Sequence, residues 1–267
     1  AMTFETPNGL ELDLRIPAGE IVIRSGDGRV TRLEIRNERN PDDFRISCDP
    51  LHAGGHRLTV DQREHKRSGW HGNDLRVEVT VPVGTDVTCQ TGSADLEVTG
   101  SIGSLTFTTG SGDCRFDRVD RDVSIKTASG DLSGASTGGG FTSYSASGDA
   151  NVRSVTGDVV ARSASGDFSV GSVGGSLDVT TVSGDVSVAS MQTGRGSVKA
   201  VSGDVEIGVA RGTRVYLDLH STSGETVSEL DMSDGSAGDG PADLELQVGT
   251  VSGDVRIHRA ADAASMS

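Results

Sequence analysis

One short phrase, Ser-Gly-Asp followed by alternating apolar residues, returns on a fixed beat across residues 91–207. It reads SGDCRF at 111–116, SGDLSG at 129–134, SGDANV at 147–152, SGDFSV at 165–170, SGDVSV at 183–188 and SGDVEI at 202–207, with the variant GSADLEV opening the series at 92–98. The aspartates Asp95, Asp113, Asp131, Asp149, Asp167 and Asp185 are 18 residues apart, and Asp204 follows after 19. Halfway through each unit, nine residues after the Asp, a second turn-like spot recurs at Ser104, Asp122, Gly140, Asp158 and Ser176. Counted from the Asp, apolar residues favour +1, +3 and +6, then +10, +12 and +15, as in Phe168, Val170, Val173, Leu177, Val179 and Val182.

Such pairs carry the period-two signature of strands with one buried face, and the Gly/Ser clusters between them are turn signals. Strands of about four or five residues are implied, near the short end of the usual range. Two such strands cannot bury a face alone, whereas stacked units bury a continuous core. The expectation is an all-β fold, a single-chain β-solenoid (parallel β-helix or β-roll-like) with one 18-residue repeat per coil and β-sheet caps at both ends. Each coil would lie on the previous one at roughly 4.8 Å. A hexapeptide helix fits the nine-residue sub-period poorly, and helical repeats need periods of about 33 residues or more. The Gly, Ser, Thr and Val content also opposes helix.

The organisation expected along the chain has four parts. Residues 1–90 are an N-terminal β cap, and 91–210 the regular solenoid. Residues 211–259 are irregular C-terminal coils with a polar loop at 226–243, and 260–267 a disordered tail. In the cap, LELDLRI, EIVIR, TRLEI, RLTVDQ and LRVEVTV alternate as strands, with Pro17-Ala18-Gly19 between the first two as a turn. After Asp204, VYLDL and Ser223-Gly224-Glu225 continue the pattern with Glu for Asp, and a last SGD stands at 252–254. A cap is required because a bare coil end is an unpaired sheet edge.

The net charge is −15, unevenly spread. Residues 1–90 hold 12 Lys/Arg against 15 Asp/Glu, and residues 91–267 hold 12 against 24. An acidic body opposes nucleic-acid binding, which needs a basic face, and docking on anionic lipid. It serves first as a solubilising surface. Three cysteines, Cys48, Cys89 and Cys114, are too few and odd in number for a disulfide framework. Cys114 sits at an inward +1 position as a small core hydrophobe. No apolar run reaches the roughly 18–20 residues that span a bilayer, and direct membrane insertion is not expected. If Met2 is the native start, with Ala1 a cloning remnant, a cytoplasmic location is expected.

The phrases also carry a family likeness. LRVEVTVPVGTDVTCQTGSADLEVTGSIGSLTF, the serial TASGDL and VSGDV, and the closing TVSGDVRIH resemble the bacterial putative-adhesin β-strand-repeat family, a domain of unknown function. The opening TPNGLELDLRIPAGEIVI is similar to leaderless actinobacterial-type members, and the likeness runs from about Phe4 to His258. The resemblance implies a β-helical fold, a non-enzymatic role, and a link in some members to envelope-stress systems. It offers no catalytic motif to carry over.

The aspartate row Asp95, Asp113, Asp131, Asp149, Asp167, Asp185 and Asp204 is the candidate site. Stacked carboxylates repel unless turned outward, hydrogen-bonded or bridged by a cation. Calcium, as in the nonapeptide β-roll, is one reading. Calcium takes about six to eight oxygens, however, and one Asp per coil leaves it short. The competing reading is an Asx or Ser turn in which each side chain bonds its own backbone. This is the favoured reading, so no metal, cofactor or catalytic residue is expected. His52, His56, His65 and His71 cluster near Trp70. The His52/His56 spacing suits a metal only on a helix, and Gly54-Gly55 opposes one. Lys and Arg are scattered, and no phosphate loop, Ser-His-Asp signature or HExxH occurs. Two functions remain. The first is a structural or protein-interaction solenoid, acting on a protein partner or on itself. The second is a carbohydrate-binding or carbohydrate-cleaving β-helix, opposed by aromatics at only 3% of the chain.

Overall fold

The computed structural model describes residues 1–7, 9–36, 43–52, 54–62, 75–230 and 242–260. Twenty-three strands are present among them and no α-helix, and the chain divides into two units, 1–138 and 139–267. The all-β solenoid expected from the repeat is the fold of this protein.

Unit 1 contains β1 (Met2–Glu5), β2 (Leu10–Gly26), β3 (Val30–Arg36), β4 (Phe44–Pro50), β5 (His56–Gln62), β6 (Arg76–Pro82), β7 (Asp86–Ile102), β8 (Leu105–Thr109), β9 (Cys114–Val119), β10 (Val123–Ser129) and β11 (Leu132–Thr137). From β7 onward, parallel pairs form one coil apart: Leu105 meets Val87 and Val123, and Cys114 meets Leu96 and Leu132. Strand β2 is itself a whole coil, in register with β7 from Glu11↔Asp86 to Arg24↔Thr99. It runs on through Pro17-Ala18-Gly19, where a turn was expected, because a coil corner can be rounded by extended backbone. On its other side β2 pairs in parallel with β5 and β6. Strands β4 and β3 then pair antiparallel with β5 and β6, and β1 pairs antiparallel with β3. Antiparallel strands close this end, where Glu78 of β6 forms ion pairs with Arg36 of β3, Arg24 of β2 and Arg76 of its own strand.

Unit 2 contains β12 (Phe141–Ser147), β13 (Ala150–Val155), β14 (Val159–Ser165), β15 (Phe168–Val173), β16 (Leu177–Ser183), β17 (Val186–Met191), β18 (Gly194–Ser202), β19 (Val205–Val209), β20 (Val215–Ser223), β21 (Thr226–Ser228), β22 (Leu244–Ser252) and β23 (Val255–Arg259). Most strands of the repeat run to six or seven residues rather than four or five, because extended backbone continues into the corners.

The last coils do not stack in chain order. Strand β22 pairs with β18 on one side and β20 on the other, and β23 lies between β19 and β21. The final strands are thus slotted inside, and β20 with β21 forms the outermost coil among the described residues. Thr226–Ser228, read as loop from its polarity, is strand β21. Ala260, read as the start of a loose tail, is buried, and its N–H donates to the Val209 carbonyl at 2.9 Å. Residues 231–241 and 261–267 lie outside the described residues, so the rest of the expected loop and tail does too.

The core is a set of parallel ladders, one aliphatic column per inward position. Val152, Val170, Val188 and Ile207 form one such column, each 1% exposed or less. Where a column carries a large ring, the next coil yields space. Phe116 lies against Gly134, whose missing Cβ would sit inside the ring. Phe141 and Phe168 instead meet with ring centroids 6.5 Å apart. The expected inward +15 column is outward. Val182 is 53% exposed and Val201, aligned with it at +16 of the longer 19-residue unit, is 49% exposed, while Thr181 and Ala200 just before them are buried. Strict alternation from +10 and +12 puts +14 inside, and hydroxyl-bearing or small residues fill that column.

Candidate functional site

Each Ser-Gly-Asp phrase forms a corner between two strands, and the corners stack in register. Ser147, Ser165, Ser183, Ser202 and Ser252 are aligned partners. The aspartate side chain reaches along the stack. In unit 1, Asp113 N–H donates to Asp95 Oδ1 and Asp131 N–H to Asp113 Oδ1, both at 2.9 Å. In unit 2 the same bond joins Asp167 to Asp149, Asp185 to Asp167, Asp204 to Asp185 and Asp254 to Asp204, at 2.8–2.9 Å. Glu225 N–H on the outermost coil ends the row by donating to Asp254 Oδ1 at 2.8 Å. The carbonyl of each next Asp accepts in return: Leu96 N–H donates to Asp113 O, and Val186 N–H to Asp204 O.

This corrects the expected role of the row. The carboxylate does not cap its own backbone turn; it accepts a donor one coil away. An N–H at a corner has no strand partner, and leaving it unmet costs free energy. A short carboxylate supplies a charge-assisted acceptor there. The aspartates of the row are exposed, and Asp95, Asp113, Asp167, Asp185, Asp204 and Asp254 form no ion pair among the described residues. The opposite corner also uses the device, where Ser176 N–H donates to Asp158 Oδ1 at 2.7 Å.

We expect Asp185→Ala to lower stability by about 1–2 kcal/mol, because it strands the Asp204 N–H at a partly solvated corner. Asp185→Asn keeps Oδ1 and should stay within about 0.5 kcal/mol of the native chain. Urea unfolding of the two variants checks this, and equal losses would refute an acceptor role.

Over the outer face of β7, β9 and β11 runs an open groove of about 410 Å³, lined by Glu20, Asp95, Glu97, Asp113, Arg115 and Asp131 among others. Its lining holds no aromatic ring on which a sugar could stack. Among the described residues no three His, Cys, Asp or Glu side chains are grouped to hold a metal. Leu51 N–H donates to Gly55 O at 3.0 Å, φ is positive at Gly54 and Gly55, and His56 opens strand β5, so His52 and His56 do not share a helical face. His65, Trp70 and His71 lie outside the described residues.

The thiols are unsuited to chemistry. Cys89 and Cys114 are buried in the core of unit 1, and desolvation pushes both far above the ordinary thiol range. Cys48 on β4 is half-buried, and burial followed by the neighbouring Asp49 raises it too. A thiol-specific reagent should therefore label only Cys48, slowly, in the native protein, and all three cysteines in denaturant. Fast native labelling of Cys89 or Cys114, read by mass spectrometry of peptides, would contradict this packing.

The sequence profile of the Toastrack DUF4097 family matches residues 10–258. The chain belongs to this family. The matched span takes in β2 to β6 of unit 1, the whole aspartate row and the slotted final coil as far as His258 of this Toastrack protein. Its resemblance to an adhesin-type repeat family, drawn from the phrases alone, is thereby confirmed as a domain of unknown function. No curated protein matches it in sequence. Solved structures similar to it include a putative adhesin from Bacteroides fragilis, 11% identical with a TM-score of 0.47, covering 96% of this chain and 95% of that one. A putative lipid binding protein from Parabacteroides distasonis is 12% identical with a TM-score of 0.45, over 96% and 95% of the two chains. A putative cell adhesion protein from Clostridium sporogenes is 11% identical with a TM-score of 0.26, over 94% and 92%. No helix of the Toastrack protein is long and apolar enough to cross a membrane among the described residues.

Proposed function

We propose that this Toastrack protein is a non-enzymatic scaffold whose stacked coils present an interaction surface to a protein partner. The observation that supports the reading is the aspartate ladder. The most regular chemical feature of the chain is engaged in satisfying corner N–H groups from one coil to the next. What each carboxylate has left is an outward negative charge in a fixed linear array. Such an array steers and orients a charged partner more than it transforms one. Cys89 and Cys114 are deeply buried, and the groove over β7, β9 and β11 is an open acidic trough.

The test is capture from an extract of the source organism with the purified chain as bait. The control is a variant with Asp167, Asp185, Asp204 and Asp254 changed to Asn, which keeps the ladder and removes its charge. The scaffold reading expects a partner retained by the native chain and depleted with the variant. No partner, together with a polysaccharide that raises the melting temperature, would replace it with the carbohydrate reading.

A further inference from the structure

Among the described residues eight large hydrophobics are exposed, and five of them share one face of unit 2: Tyr144, Val182, Val201, Tyr216 and Val251. They lie on the outward side of β12, β16, β18, β20 and β22. Three belong to a single row. Because the corner serines are in register, the residues just before them, Ala146, Ala164, Val182, Val201 and Val251, stand side by side on successive coils. The three valines are 49–53% exposed. The same repeat position in unit 1 holds Gly110 and Ala128, so the apolar row is not a by-product of the repeat. Five strands at about 4.8 Å make it roughly 19 Å long.

Charge determines what fits this row. On the face itself Arg162 pairs with Asp178 at 3.7 Å and Arg195 with Glu245 at 2.9 Å, and Lys199, exposed on β18 two residues before Val201, is one cation against the four aspartates at the corner. Three residues beyond the valines, at the corner, Asp185, Asp204 and Asp254 run parallel to the row, with Asp167 continuing it, and none has a cation beside it among the described residues. A second copy laid on the row would bring another chain of net charge −15 against this edge. A lipid surface rich in anionic headgroups would be repelled in the same way. The complement is a chain with aliphatic side chains for the row and cationic ones for the corner. The length of the row suits about six residues of extended backbone.

Resting on the scaffold reading above, we propose that the row Ala146, Ala164, Val182, Val201 and Val251, with the flanking Asp167, Asp185, Asp204 and Asp254, is the docking surface for an extended polypeptide segment of alternating aliphatic and basic residues. The valines supply apolar contact that excludes water, and the aspartates supply the salt-sensitive attraction that sets orientation.

The probe is a fluorescent octapeptide alternating Lys and Val, compared by anisotropy with one alternating Lys and Ser of the same charge. The native chain should bind the Lys/Val peptide about tenfold more tightly, a difference of roughly 1.4 kcal/mol. The triple variant V182S/V201S/V251S should erase that difference. The quadruple Asp→Asn variant should weaken both peptides and flatten their salt dependence. All of these side chains are exposed, and Asn keeps the corner acceptor, so circular dichroism should show every variant folded. Equal binding of the two peptides, or a triple variant that binds as the native chain does, overturns the docking surface. A native dimer in sedimentation velocity that the triple variant loses also overturns it, assigning the row to a second copy. A captured partner that survives the valine changes refutes the row while leaving the scaffold standing; capture of no partner at all sinks the scaffold itself.

Discussion

Replacing Gly184 with alanine should destabilise the protein by about 3–5 kcal/mol, the sum of a strained backbone and a steric clash. Gly184 is the middle residue of a Ser-Gly-Asp corner with φ of +137°, a conformation that side chains rarely adopt. A Cβ there would press into the carbonyl oxygen and carbon of Gly166 in the coil before. Both are backbone atoms held by the stack: Gly166 N–H donates to Ser183 O and Gly184 N–H to Ser202 O, each at 3.1 Å. The clash is relieved only by separating coils, which breaks the ladders on both sides. Gly249 is the matched control, since it lies in β22 with open space at the Cβ position and no positive φ. Gly249→Ala should be neutral or slightly stabilising, within about 0.5 kcal/mol, as it mainly restrains the unfolded chain. Urea midpoints of the two variants measure the contrast. Similar midpoints would mean that the coils are not packed backbone to backbone at the corner.

Leu246→Ala should cost about 4 kcal/mol, near the upper end for leucine truncation. Leu246 is fully buried on β22 between Gly196 of β18 and Leu217 of β20. Its Cδ2 occupies the space that a side chain at Gly196 would fill, so Gly196 itself offers no atoms to refill that space after truncation. Leu219→Ala on the outermost coil should cost only about 1–2 kcal/mol, because Leu219 is already partly exposed. The pair tests the order of the coils. If the chain stacked in sequence order, β20 would lie inside and β22 outside, and the larger loss would move to the β20 side chains.

The period-18 repeat, the two corners per coil and the small aliphatic core were legible because alternation and turn chemistry are local properties. They place a side chain inward or outward without reference to neighbouring strands. The slotted final coil was not legible that way, since VYLDL of β20 and LELQV of β22 alternate alike and suit either place. One signal did exist. The phrase is kept as SGD at 252–254 and becomes SGE at 223–225. Only a coil followed by another has a corner N–H to satisfy, so Asp254 marks an internal coil, and Glu225 stands where no further described coil follows. The outward valine row was misplaced by counting one residue too far. Val182 looked apolar enough for the core, but alternation from Leu177 and Val179 assigns Thr181 the inside position. The aspartate bonds were misassigned because a side chain that accepts locally and one that accepts from 18 residues away are the same letter.

The most direct test of the account is thermal unfolding of the native chain and the Asp167, Asp185, Asp204, Asp254→Asn variant, each with calcium and with a chelator. If the row is a ladder of backbone acceptors, the variant melts within a few degrees of the native chain and calcium shifts neither. A native melting temperature raised several degrees by calcium and unmoved in the variant would make the row a cation site and contradict the account.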